Sequence, residues 1–368
     1  MRGPVDKAGS YCRIKYSLAI FDTVYLLALI VLLLKSGFSS WLAASASVFF
    51  RQDYLVFPAY LLGILILSSV LTFPLNFYRS FMLEHKFGLT NQKFGAWLID
   101  QLKAGVLSYI IGLMLFGAFY YVLGRNPHTW WFMVALFWIF FSLIMAKILP
   151  VAIIPLFFKY RQLEDSALRE RIVKLAEKMR VKILDVFEID FSKKTLKANA
   201  AFVGWGRTRR VILADTLKDK YSYDEIEVIL AHEFSHYRMK HLLKLILINA
   251  LMTLLLFYVI FVSNAHCLEL FGFVSLEDIA AFPLVIMYMT VFGVVMQPLE
   301  NFLSRRFEKD ADLAALKATG MKETFISMMN KLSEQNLADR NPHPLIKFFF
   351  FDHPPTSERI ALAEKFIL

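Results

Sequence analysis

The chemistry-bearing residues of this sequence concentrate in one run, His232-Glu233-Phe234-Ser235-His236. Two histidines four apart share one face of an α-helix, so both imidazoles can reach a single zinc ion at about 2.0–2.1 Å. Glu233 then stands beside the metal without ligating it, placed to take a proton from a water held there. A motif with three fixed positions arises by chance in roughly one such chain in a hundred, so context must decide. A hydrolytic zinc needs a third protein ligand and an open position. Candidates follow in the run Glu300-Asn-Phe-Leu-Ser-Arg-Arg-Phe-Glu308-Lys-Asp-Ala-Asp312. Glu308 and Asp312 are four apart on a helix, so one carboxylate can bind metal while the other hydrogen-bonds a ligating imidazole. Glu300 competes for the ligand role. Taken singly, each also suits a solvated helix end.

The elements that must position these groups can be read from caps and apolar runs. Ser222-Tyr-Asp-Glu225 forms a capping box that opens the HExxH helix, and the helix is expected to lead straight into an apolar run from Leu242. Of the 368 residues, 57% are hydrophobic and 20% charged, which excludes a soluble enzyme and a disordered chain. Cys12 and Cys267 imply no disulfide framework. The net charge of +10 is not gathered into a basic stripe with interleaved aromatics, so no nucleic-acid partner is expected. Basic residues flanking apolar runs instead suit membrane orientation and contact with membrane lipids.

A span of the bilayer core takes roughly 20 apolar residues. Six runs qualify: Ser17 to Leu34, Leu55 to Phe77, Lys103 to Leu123, Thr129 to Phe158, Leu242 to Ser263 and Ile279 to Leu299. The fourth is long and holds Pro150 and Pro155, so it should kink near its end. Arg2, Lys7, Arg13 and Lys15 precede the first span and Arg79, Lys86, Lys93 and Lys103 follow the second, which predicts cytoplasmic termini and a cytoplasmic catalytic segment. The short N-terminus and the lack of a C-terminal retrieval signal point to a bacterial inner membrane.

Residues 159–240 hold 18 Lys+Arg and 13 Asp+Glu and read as a polar insert. The expected organisation is spans one to four in 1–158, the catalytic insert in 159–240, spans five and six in 241–300, and a C-terminal catalytic segment in 301–368. Within the insert, Glu164 to Arg180 is predicted as a helix, and Ile183 to Phe191 and Arg210 to Leu213 as a strand pair, the second strand following a Gly204-Trp-Gly206 turn. Asn199 to Gly204 reads as a loop, because Asn, Ala and Gly are poor strand formers.

Nearly the whole chain resembles the type I CAAX prenyl endopeptidase family of integral-membrane zinc metalloproteases and, more distantly, the heat-shock protease HtpX. The likeness rests on Pro74 to Gly88, Pro155 to Asp165, Asn199 to Gly204, HExxH, Ser304 to Asp312 and His353-Pro-Pro. It implies a mainly α, polytopic membrane bundle of six to seven spans with an inserted gluzincin-like domain and a small β-sheet. It further implies one Zn2+ per chain on His232, His236 and Glu308, which places Glu308 ahead of Glu300, with Asp312 beside them. Asn199, Ala200, Ala201, Phe202, Val203 and Gly204 then become an edge strand that pairs with extended substrate. His353 and Arg359 become stabilisers of the oxyanion. The implied activity is endoproteolysis of peptide or protein substrates, prenylated, unprenylated or misfolded. The family commonly has Gly where Ser235 stands, and its eukaryotic members have seven spans around a chamber, against six here.

A rival from another class is a transporter or lipid-handling protein with a non-catalytic metal, for which Asn76, Asp100 and Lys147 would mark a polar pathway.

Overall fold

The computed structural model describes residues 4–204 and 209–367, so the last two positions of the expected Gly204-Trp-Gly206 turn lie outside the described residues. The membrane part begins with α1 (Pro4–Lys35), a short α2 (Phe38–Phe49) and α3 (Asp53–Phe77), which passes through a π-turn at Tyr78–Met82 into α4 (Leu83–Lys86). Next come α5 (Phe94–Leu123) and α6 (Trp130–Ile148). A second π-turn, Leu149–Ile153, contains Pro150 and leads into α7 (Ile154–Phe157), which is the expected kink. Six helices among the described residues are long and apolar enough to cross a membrane, and they match the six runs read above. The 12-residue α2 is apolar but too short to cross. Its Ser39 Oγ lies 2.7 Å from Tyr60 Oη and donates to the Ala280 carbonyl at 2.6 Å, tying it to α3 and to the turn that opens the last span.

The polar insert runs β1 (Tyr160–Gln162), α8 (Ser166–Lys178), β2 (Asp185–Ile189), β3 (Ala200–Val203), β4 (Arg210–Ala214), α9 (Asp215–Lys218) and α10 (Tyr223–Arg238). The expected strand pair becomes a four-stranded sheet of order β1-β2-β4-β3. β2 and β4 pair in parallel, while β1 and β3 join antiparallel on the two edges. Residues 199–204, read from propensity as a loop, therefore contain an edge strand, as the resemblance implied. β4 sets that strand's register, Ala200 facing Leu213 and Val203 facing Arg210. Gly204 follows at φ 100, a backbone conformation open to glycine and rare for other residues.

α10 does not continue directly into the membrane as expected. Lys240 adopts a left-handed conformation (φ 56) and the chain restarts as α11 (His241–Phe271). α12 (Phe282–Thr319) follows, then α13 (Lys322–Gln335), α14 (Pro344–Phe350) and α15 (Thr356–Glu364). At about 1.5 Å per residue, the 38 residues of α12 extend about 57 Å, against about 30 Å of hydrocarbon core. Its second half must project beyond the bilayer, and that projection carries Glu308 and Asp312. One core joins the insert to the C-terminal segment: Leu168, Val186, Leu213 and Phe234 pack in the same cluster as Leu316 and Phe325. The insert and residues 301–367 thus fold as one body capping the helical bundle.

Candidate metal centre and cavity

The capping box forms as read: Glu225 N donates to Ser222 Oγ at 3.2 Å and Ser222 N donates to Glu225 Oε2 at 2.8 Å. The helix it starts buries Phe234 and Ser235 and turns the two histidines toward α12. Ser235, where the family commonly has Gly, is satisfied within the helix by donating to the Ala231 carbonyl at 2.6 Å.

His232 Nε2 and His236 Nε2 lie 3.0 Å apart. Glu308 closes the group, with Oε2 3.2 Å from His232 Nε2 and Oε1 3.2 Å from His236 Nε2. One ligand atom from each of the three lies within 4.8 Å of the others. The donor chemistry fits a divalent cation: two imidazole nitrogens point at each other, and Glu308 Oε2 is buried without a directed hydrogen bond. Burial alone would strip a proton from His232, but its bonds to Asp312 and Glu308 prevail and push the imidazole up to about 9. Glu300 is exposed and takes no part in the group.

Behind His232 stands Asp312, fully buried, its Oδ1 2.9 Å from His232 Nδ1. Arg359 grips the same carboxylate with two hydrogen bonds, Nε to Oδ2 at 2.7 Å and a terminal nitrogen to Oδ1 at 2.5 Å. Its own charge is favoured: burial opposes it, and Asp312 more than compensates. His353 lies across the group, Nε2 3.3 Å from Glu308 Oε1 and Nδ1 2.8 Å from Asp352. Burial draws the His353 pKa down, but the bond to Asp352 and the charge of Glu308 raise it overall. Burial pushes the Glu233 carboxyl up, against the pull of His232 and His236.

Reading the sequence missed His241. Its Nδ1 lies 3.0 Å from His236 Nδ1, and its ring stacks on Phe307 at 4.6 Å between centroids. The one signal for it was a histidine five residues past His236 at the mouth of an apolar run, where Lys240 swings it back onto the site. Asp352, the partner of His353, was missed as well.

β3 is tied to α10 by Phe202, whose ring meets Phe234 edge-on at 5.3 Å and Tyr237 at 5.6 Å. Among the described residues its outer edge has no partner strand. A cavity of about 590 Å³ opens between His232, Glu233 and His353 on one side and Asn199, Ala200 and α1 on the other. Two of the residues that would have marked a transport pathway serve as struts. Asp100 pairs with Lys194 at 2.6 Å and Asn76 bonds Gln101 at 3.0 Å.

Two family models cover the chain. "CAAX prenyl protease N-terminal, five membrane helices" matches residues 4–159, and "Peptidase family M48" matches residues 162–367. Among the described residues of the first segment, four helices are long and apolar enough to cross a membrane, and α2 is apolar but shorter. The chain is similar to CAAX prenyl protease 1 of Saccharomyces cerevisiae, with 31% identity over 96% of this chain and 84% of the relative. It is also similar to the metalloprotease YhfN of Bacillus subtilis, with 29% identity over 92% and 80%. The crystal structure of S. mikatae Ste24p superposes with a TM-score of 0.89 at 26% identity, covering 98% of this chain and 89% of that one.

Proposed function

We propose that this chain, which belongs to peptidase family M48 and is a membrane-embedded metalloendopeptidase, is a zinc enzyme that cleaves prenylated CAAX-type peptides at the cytoplasmic face of its membrane. The observation that carries this reading is the convergence of His232, His236 and Glu308 beside Glu233 at the end of an unpaired strand edge. No feature supports the transporter.

Zinc held by His232, His236 and Glu308 would supply Lewis acidity to the scissile carbonyl and to the attacking water. Glu233 takes the proton of that water and delivers it to the leaving amine. Its raised pKa suits a group that must hold a proton between the two steps. The free edge of β3 binds the peptide backbone, a main-chain pairing that places few demands on the substrate's side chains. Asn199 and Gly204 bracket the four strand residues that do the pairing. His353, with its raised pKa, is placed to donate to the developing oxyanion. Arg359, with both bonds on Asp312, keeps that carboxylate charged and so holds His232 in orientation.

Cytoplasmic orientation is supported by Lys and Arg flanking the first two spans on the side of the insert. At most 33% of any span's apolar window is buried against protein, which leaves most of that surface for membrane lipid. A bacterial inner membrane is the proposed location, with YhfN as a bacterial relative.

The test is purified protein in detergent with a farnesylated peptide ending in a CAAX sequence. Release of the C-terminal tripeptide, stopped by a chelator and restored by zinc, is expected. Cleavage that survives complete metal removal would contradict the proposal, as would no cleavage of prenylated or unprenylated peptide.

A further inference from the structure

The cavity beside Glu233 is asymmetric with respect to β3. It is lined by Lys197 to Ala200, where the chain enters the strand, and by the N-terminal half of α1, and its lining does not include Ala201 to Val203. An extended peptide that adds antiparallel to β3, the slightly stronger ladder, runs opposite to it. Its residues beyond the scissile bond therefore leave the strand past Ala200 and enter this cavity.

Three long cations line the cavity: Lys15, Lys197 and Arg359. Two are already neutralised. Lys197 Nζ lies 2.8 Å from Glu84 Oε2 and 3.1 Å from Tyr11 Oη, and Arg359 is engaged by Asp312. Lys15 has no acidic partner among the described residues; its Nζ lies 5.9 Å from the centroid of the Tyr11 ring. Of the acidic lining residues, Glu233 belongs to the catalytic group, Asp352 pairs with His353, and Asp339 accepts a hydrogen bond from the Tyr16 hydroxyl at 3.4 Å. A cavity that is lined by a catalytic group and by one ammonium without an acidic partner among the described residues can take a short segment with a terminal negative charge.

We propose that Lys15 receives the free C-terminal carboxylate of the substrate, so that the enzyme measures how far the scissile bond lies from the chain end. This rests on the reading of the protein as a CAAX-type protease. Cleavage after the cysteine of a C-terminal C-a-a-X sequence leaves three residues on the far side, about 10 Å of extended chain ending in a carboxylate. Lys15 acts in binding, and the chemistry stays with Glu233 and the metal ligands. A lysine there only for membrane orientation would be indifferent to the substrate's terminus.

The test compares two prenylated peptides identical except for a C-terminal carboxylate or carboxamide, each against wild type, Lys15→Gln and Lys15→Arg. Wild type is expected to favour the carboxylate by at least about tenfold in kcat/KM, mainly through KM, as suits a charge-assisted hydrogen bond. Lys15→Gln should remove that preference and Lys15→Arg should keep most of it. Equal cleavage of the two peptides by wild type overturns the inference alone. So does a preference that survives in Lys15→Gln, or a Lys15→Gln loss that is equal for both peptides. Cleavage of neither peptide by wild type overturns the functional reading and this inference with it.

Discussion

His232 and His236 present matching nitrogens to the same point but are held from behind in opposite ways. His232 leans on Asp312, a fully buried carboxylate that Arg359 grips with two further bonds. His236 leans on another imidazole, His241, which is kept flat by Phe307 and whose Nε2 is buried without a hydrogen-bond partner. If His236 offers Nε2 to a metal, its Nδ1 must carry the proton and His241 Nδ1 must accept it. One side of the centre is thus ionic and fully satisfied, and the other is neutral and partly unsatisfied. The ionic side is supplied by α12 and α15, one a membrane helix and the other the last helix of the chain. The neutral side comes from the first residue of α11. The difference teaches that a metal bound by this group would be held chiefly from the C-terminal segment, although the HExxH motif lies in the insert.

The largest effect should come from the ionic side. Asp312→Ala removes the partner of His232 and leaves Arg359 buried without its counter-charge, which costs about 3–5 kcal/mol of stability in comparable cases. Zinc affinity should fall about 100-fold, the upper end for loss of such a supporting group, as read by competition with a metal indicator. His241→Phe should cost less, about tenfold in zinc affinity, because only a neutral hydrogen bond is lost and the stack on Phe307 can persist. Equal losses, or a greater loss for His241→Phe, would break the comparison.

The smallest effect should appear at the start of α10, remote from both sides. Burial tends to raise the Glu225 carboxyl, but Lys331 and the Ser222 backbone hold it below the usual carboxylate range. Its folded pKa is therefore depressed relative to about 4.3 when unfolded. The stability it adds is present above that unfolded value and is lost as pH falls through the folded one. Glu225→Gln keeps the cap but loses the charge that faces Lys331, so it should lower stability at neutral pH by about 1 kcal/mol and flatten the acid limb of thermal stability. Zinc affinity per folded molecule should not change. A drop in affinity here would mean that the insert, rather than the C-terminal segment, fixes the metal position.

What the sequence could disclose follows the physical range of each signal. The spans were legible because hydropathy acts locally, and HExxH because four residues make one helical turn. Spacing left Glu300, Glu308 and Asp312 as rivals; only the position of α12 against α10 separates them, and that is a long-range property. Ala200 and Ala201 carry no strand signal of their own. Their conformation is imposed by Val211 and Leu213 in β4 and by Phe202 packing on Phe234. His241 was hidden because the break at Lys240 depends on one left-handed residue at a membrane boundary, and local propensity does not report it.

The central claim is that Glu233 moves the proton in a hydrolysis supported by a metal on His232, His236 and Glu308. The most direct measurement is peptide cleavage and zinc content on the same preparations of wild type, Glu233→Gln and His236→Ala. Glu233→Gln should retain one zinc per chain yet lose about 10²–10⁴-fold in kcat, whereas His236→Ala should lose both. Wild-type turnover by zinc-loaded Glu233→Gln would contradict the account.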